Sequence, residues 1–286
     1  MLLIVGCATV IFCVFGGYVL NNGHLGVLWQ PFEFLIILGA AAGGLITGNT
    51  AVVLKQIGKE LGHLAAGPKY KKDHYLELLT MMFQVFKIAK TKGLLALEQH
   101  IEKPEDSPLF QQFPKFYADH HAVAFLCDYL RLMSLGADNP HELSDLLDEE
   151  LEVHHHHYTR VAAAIQQIAD GIPALGIVAA VLGVIHTMGA ITEPPEVLGH
   201  LIGGALVGTF FGVFMAYGFV GPIANGMNAV YASEFAYFKA MKAGLVAHLG
   251  GYAPAISVEY ARKGLPDEFK PSFQEVEEAT AALPPA

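Results

Sequence analysis

Charge is scarce in this chain. Only 15% of its 286 residues are Asp, Glu, Lys or Arg, against about a quarter in an average soluble domain. With 53% hydrophobic residues and a mean hydropathy of +0.42, that deficit excludes an ordinary soluble globule and points to membrane spans. Positive charge is the scarcer sign. Seventeen Lys+Arg stand against 27 Asp+Glu, a net charge of −10, and a nucleic-acid binder would be basic. Cysteine is nearly absent. Cys7, Cys13 and Cys127 are an odd number, too few for a disulfide framework, and are read as free packing thiols. A nucleotide-binding loop, a nucleophile elbow and a zinc-protease helix are also missing, so neither an enzyme nor a cofactor is expected.

What is present is apolar length. A bilayer core needs about 20 mostly apolar residues as helix, and four stretches qualify: Met1–Leu20, Phe32–Leu54, Gly171–Ile191 and Val197–Ile223. The first lacks a basic leading region and a small-x-small cleavage site, so it is read as a retained span rather than a signal peptide. The basic residues partition without exception. Twelve lie in Lys55–Asp170 and five after Asn225, while the loops Asn21–Pro31 and Thr192–Glu196 hold none. By the positive-inside rule the long segment, the tail and both termini are cytoplasmic. The expected organisation is therefore all-α and polytopic. Residues 1–54 carry two spans (1–20 and 32–54), 55–170 form a large helical cytoplasmic domain, 171–225 carry two more spans (171–191 and 197–223), and 226–286 are a cytoplasmic helix and tail.

The cytoplasmic part reads as helix. Leu76, Leu79, Phe83 and Phe86 make one apolar stripe. Asn139-Pro140-His141-Glu142 has the residues of a helix start, and Leu143, Leu146, Leu147 and Leu151 then line one face. That helix is expected to run up to Gly171–Pro173, where the third span begins. Asp145, Asp148, Glu149, Glu150 and Glu152 are read as a solvated face. In the run His154–His157 only the first and last share a helix face, short of the converging ligands a tight metal site needs. Ala279–Ala286 has no pattern and is expected to be disordered.

Within the spans the telling feature is again an absence: no Asp, Glu, Lys or Arg lies deep in any of them. Proton-coupled membrane machines usually carry a titratable group there. This chain offers only weak polar groups such as His186, Thr209 and Tyr217, and a lone His is more often structural than a relay. Either the chain moves no ion or a second chain supplies the carboxylate. Gly204, Gly208 and Gly212, Ala179 and Gly183, and Ala40, Gly44 and Gly48 recur at helical spacing, which lets backbones approach closely in lipid. The spacing leaves open whether they pack within one subunit or between subunits. Pro173 and Pro222 mark matching depths of the third and fourth spans, where a hinge or pore mouth would sit.

The segments GLLALEQHIEKPEDSPLF (93–110), DYLRLMSLGADNPHELSDLLDEELE (128–152), DGIPALGIVAAVLGVIHTMG (170–189), LVGTFFGVFMAYGFVGPIA (206–224) and GYAPAISVEYARKGLP (251–266) resemble the MotA family of flagellar motor stator subunits over nearly the whole chain. The related ExbB/TolQ energisers of envelope transport have one span before their large cytoplasmic segment, whereas this chain has two. The resemblance implies a bacterial inner-membrane ring of five subunits around two copies of a MotB-type, single-span, peptidoglycan-anchored partner. The partner's membrane Asp would bind the ion. It implies channel residues at Pro173, Ala180, Thr209, Tyr217 and Pro222. It also implies contact with a FliG-type rotor protein through Glu98 and through Lys90, which stands where the family has arginine. That departure keeps the charge and loses the bidentate fork; Lys87 and Lys92 are candidates to share the role. Ala180, where sodium-driven relatives carry a hydroxyl residue, implies H⁺ as the transported ion. An ExbB/TolQ-like energiser and a passive scaffold are the competing expectations.

Overall fold

The computed structural model describes residues 2–284, apart from the side chain of His157. Among these residues it has twelve α-helices and no strand: α1 (Leu2–Leu20), α2 (Pro31–Gly48), α3 (Ala51–Ala66), α4 (Lys72–Lys92), α5 (Glu98–Glu102), α6 (Pro114–Tyr117), α7 (His120–Ser134), α8 (Pro140–Gly189), α9 (Pro195–Met215), α10 (Gly221–Leu249), α11 (Pro254–Lys263) and α12 (Phe273–Ala281). Four stretches, in α1, α2, α8 and α9–α10, are helical, long and apolar enough to cross a bilayer. The chain divides into two compact units.

The first unit holds the N-terminal residues through Gly67 and His157–Val230. Its heart is the pair formed by the second half of α8 and by α9, which approach through small residues. A Cβ added at Gly176 would lie 2.8 Å from the Gly208 carbonyl oxygen and 3.1 Å from the Gly212 Cα, and one added at Gly183 would lie 2.7 Å from the Ala205 Cβ. These rows therefore pack within the chain. On α2 the surroundings of Gly44 and Gly48 are open. Helix α2 leans on the pair through Ile37 and Ala41, which share a buried cluster with Ile172, Ala179 and Ala216, and through Phe34, whose ring lies 4.3 Å from that of Phe211. Helix α1 touches α9 edge-on through Phe15 and Phe214 and buries no residue.

Two expectations change here. The second apolar run is divided: α2 stops at Gly48, Asn49 is extended and donates its side-chain N–H to the Leu45 carbonyl at 3.0 Å, and α3 begins at Ala51. The helix begun at Pro140 does not end where the third span starts. Helix α8 runs through Pro173 to Gly189, since neighbouring helices can tolerate the freed backbone group that proline leaves in a membrane helix.

The second unit holds Pro68–His156 and the residues from Tyr231. Helix α4 is its axis. Tyr75, Leu78, Leu79, Met81, Met82, Val85 and Phe86 are fully buried, while Leu76 and Phe83 are only partly so. The buried surface is thus wider than the expected single stripe, with α11, α12 and the turn after α4 packed about it, while the side carrying Ile88 and Lys92 faces a cleft. At the start of α8, Asn139 receives the His141 backbone N–H at 3.0 Å and donates to Glu142 at 2.9 Å, as its sequence led us to expect. Leu143, Leu147 and Leu151 are buried, but Leu146 is half exposed. The acidic face is partly engaged: Asp148 pairs with Lys242, and Glu150 accepts the Tyr129 hydroxyl. His154 packs its ring against His121 and Phe238, and His155 against Phe235. The side chain of His157 lies outside the described residues. The disorder expected from Ala279 onward is corrected as far as Ala281, because a capping box at Ser272 and Glu275 starts α12 and carries it to that residue; Pro285 and Ala286 lie outside the described residues.

The close α8–α9 approach predicts that Gly176→Val destabilises the folded chain by about 1–3 kcal/mol through overpacking. Thermal inactivation of the purified protein in detergent checks it: Gly176→Val should fall well below the parent, and Gly199→Ala, which has open space around it, should not. Equal stability of Gly176→Val and parent would mean that the contact is slack.

Candidate functional site

Two places collect the residues singled out by the sequence, one in each unit. In the first unit Pro173 sits inside α8. Its nitrogen cannot donate to the Ala169 carbonyl, so one rung of the helical ladder is missing there. Pro222 has the same effect on the other side. Ahead of it, Ala216–Val220 widens into a π turn, and the Gly221 N–H bonds back to the Ala216 carbonyl five residues earlier. A π turn relieves the clash that a proline ring makes with the preceding turn. The two irregular turns meet: a Cβ at Gly221 would lie 3.9 Å from the Ala169 Cβ. The matching depth expected of the two prolines is thus a contact between their turns.

Ala180 and Thr209 lie at one level of the same pair. The Ala180 backbone nitrogen is 3.2 Å from the position of a Cβ on Gly208, beside Thr209. Both residues are half-buried. Tyr217 lies in the π turn with 71% of its surface exposed, and lines an apolar pocket with Cys7, Val10, Leu64 and Pro222. His186 is exposed, and Thr187 donates its hydroxyl back to the Gly183 carbonyl at 2.8 Å. Residues 2–20, 34–48, 171–189 and 197–215, all helical, include no Asp, Glu, Lys or Arg.

In the second unit α4 ends at Gly93, whose φ of +84° is one that a residue with a Cβ adopts only under strain. The chain turns there, winds through Leu94–Leu97, buries Leu97 and enters α5 at Glu98. This short helix is pinned twice from behind. His100 is buried and hydrogen-bonded to the Ser107 hydroxyl at 2.8 Å, and burial lowers its pKa below the usual imidazole value. Arg131 donates to Glu102 at 2.9 Å and to the Ile101 carbonyl at 3.3 Å. Glu98 is exposed and lines a cleft of about 610 Å³ with Lys92, Leu95 and Glu102. Lys90 does not line that cleft. Its ammonium donates to the Gly251 carbonyl at 2.9 Å, near His248. The His248 ring is stacked on Phe86 at 4.5 Å, and burial, with the charge of Lys90, holds its pKa down to about 4.

Elsewhere in this unit Asp119 is 6% exposed. It accepts the Tyr70 hydroxyl at 2.6 Å and the Lys69 ammonium at 2.8 Å. Burial works against its ionisation, but those two donors outweigh it and keep the carboxyl below its ordinary range. Neither these contacts of Asp119 nor the His100–Ser107 lock is legible in the sequence, because the partners are seven to about fifty residues apart and carry no motif. Among the described residues no group of three or more His, Cys, Asp or Glu could hold a metal.

Residues 4–93 match the family model described as motility protein A N-terminal, and residues 118–240 match the MotA/TolQ/ExbB proton channel family. The chain is similar to motility protein A of Salmonella typhimurium, with 40% identity over 99% of this chain and 96% of that protein. It is also similar to chemotaxis protein LafT of Vibrio parahaemolyticus, with 38% identity over 95% of each. Its fold is similar to chains of two solved structures. One is the MotAB flagellar stator complex of Bacillus subtilis, at 25% identity and a TM-score of 0.72, covering 90% of this chain and 92% of that one. The other is MotAB of C. jejuni, at 21% identity and a TM-score of 0.76, covering 93% and 96%.

The lowered pKa of His248 sets a pH dependence. Between the ordinary imidazole value of 6.5 and about 4 the unfolded chain binds a proton that the folded chain does not, so stability falls as pH falls through that window. Hydrogen exchange of α10 and α11 in the purified protein, corrected for its intrinsic pH dependence, should show opening increase by up to about tenfold per pH unit below 6.5. His248→Leu should flatten that slope. An unchanged slope in the variant would assign the dependence to other groups.

Proposed function

The chain belongs to the MotA/TolQ/ExbB proton channel family and is a multi-pass membrane subunit of the flagellar motor stator, and we propose that five copies form a ring around two copies of a MotB-type, single-span, peptidoglycan-anchored partner. In this reading the partner carries the ion-binding carboxylate, the transported ion is H⁺, no cofactor takes part, and the load is a FliG-type rotor protein. The termini and the second unit face the cytoplasm of a bacterial inner membrane. The observation that carries the reading is the α8–α9 pair: two helices in close contact, α8 disturbed at Pro173 and α9 followed by the π turn ahead of Pro222, with no carboxylate in residues 171–189 or 197–215. Such a wall can bear against a partner helix whose acid is alternately charged and neutral.

Pro173, Ala180, Thr209, Tyr217 and Pro222 are the residues of this chain that we assign to the ion path. Ala180 offers no side-chain oxygen. Na⁺ needs several oxygen ligands to replace its water, whereas a carboxylate and a water wire suffice for H⁺. Protonation of the partner's carboxylate removes its charge, changes where that helix rests against α8 and α9, and lets the ring step around it. The drive available is about 2.3 kcal/mol per charge per 100 mV. At the rotor we assign the contact to Glu98 and to the basic end of α4, where Lys87, Lys90 and Lys92 lie. Charges there are screened beyond about 8 Å, so each contact must be close and brief. An ExbB/TolQ-like energiser of envelope transport is less well supported, because full-length similarity runs to motility proteins.

Pro173→Ala restores the missing backbone donor in α8. We expect it to leave the subunit and its partner in the membrane while swimming speed falls. Motility of the parent should persist without sodium and stop with a protonophore. Full torque in Pro173→Ala, or dependence on sodium, would contradict the ion-path assignment.

A further inference from the structure

Resting on the stator reading, we propose that the cation that acts with Glu98 on the rotor is Lys92 rather than Lys90, and that Leu95 is the apolar anchor of the same contact. The argument begins with helix geometry. Successive residues are about 100° apart around a helix, so Lys92 shares a face of α4 with Ile88, while Lys90 points to the far side. The contacts follow that geometry. Ile88 and Lys92 line the cleft of about 610 Å³ together with Leu95, Glu98, Gln99 and Glu102. Lys90 instead donates to the Gly251 carbonyl, 2.9 Å away, and so ties the end of α4 to the turn between α10 and α11. Lys90 is a brace: it spends one of its three N–H donors on Gly251 and stands on the side of α4 away from Glu98.

The cleft has what an electrostatic docking surface needs. Lys92 and Glu98 are exposed, and among the described residues neither forms an ion pair. Glu102, by contrast, is taken by Arg131 at 2.9 Å. Leu95 is 76% exposed, although the neighbouring Leu97 is buried. An apolar side chain held out beside two unpaired charges of opposite sign fits an interface with an apolar centre and a charged rim. The rotor surface that complements it presents an apolar side chain between a cation, which meets Glu98, and an anion, which meets Lys92. The position of Glu98 is fixed from behind by the His100–Ser107 bond and the Arg131–Glu102 pair, so the partner meets a preformed site.

The test compares variants in cells carrying the native partner and rotor, with membrane levels and partner co-purification measured in each. At equal levels Lys92→Gln should lower swimming more than Lys90→Gln. Lys92→Glu and Leu95→Asp should each lower it about tenfold or more, because each sets a carboxylate where the contact needs a cation or an apolar side chain. A reversal of an acidic residue on the rotor to a base should restore part of the loss in Lys92→Glu. If Lys92→Glu is missing from the membrane, the ranking of the two Gln variants decides. The opposite ranking, or normal swimming of Leu95→Asp, overturns the proposal. The Glu98→Lys arm tests the underlying reading separately: if it swims normally, the rotor contact itself is wrongly placed, whereas its loss alongside a normal Lys92→Glu refutes only the choice of cation.

Discussion

A charge left unpaired in hydrocarbon is expensive, and this chain places none there. That constraint organises the membrane unit. Without polar pairing to hold helices together, α8 and α9 associate through backbone proximity, and proximity requires residues with almost no side chain. Gly176, Gly208 and Gly212 supply it from one side and the other, with Ala179, Gly183 and Ala205 beside them. Everything else in the unit leans on this pair: α2 through Ile37 and Phe34, and α1 at the edge. The absence of a carboxylate makes the pair a wall for another helix's charge.

Two prolines make the wall uneven. Each removes a backbone donor, and the turns they disturb, Ala169–Pro173 and Ala216–Val220, meet at Ala169 and Gly221. A close-packed interface is bistable more readily than it is continuously deformable. A helix pair with weakened rungs at one level therefore offers a place for bending while the glycine contacts above it stay closed. In the second unit α4 is a broadly buried axis, and the exposed charges Lys92 and Glu98 flank the turn at Gly93.

Much of this was legible in the sequence. Apolar length and the basic partition marked the four spans, and the Asn139–Glu142 start was readable because capping is local chemistry. The small-residue rows were readable as close approach, but not as approach within one chain, since the spacing is the same for either. Three features were hidden for physical reasons. Pattern cannot show how far around α4 the cover extends, because a narrow stripe and a broadly buried helix differ in what packs on them. Nothing in the sequence shows that the Lys90 ammonium lies against the Gly251 carbonyl, 161 residues away along the chain. The π turn ahead of Pro222 depends on how the helix absorbs a proline that neither ends it nor breaks it.

The central claim is that the ring supplies the path and the partner supplies the charge. The most direct measurement is inward proton conductance in energised cells that express this chain with its partner intact, with the partner's membrane Asp changed to Asn, or with no partner. The account predicts conductance only with the intact partner, at equal membrane levels of this chain in all three. Equal conductance in the Asn variant, or conductance by this chain alone, would contradict it.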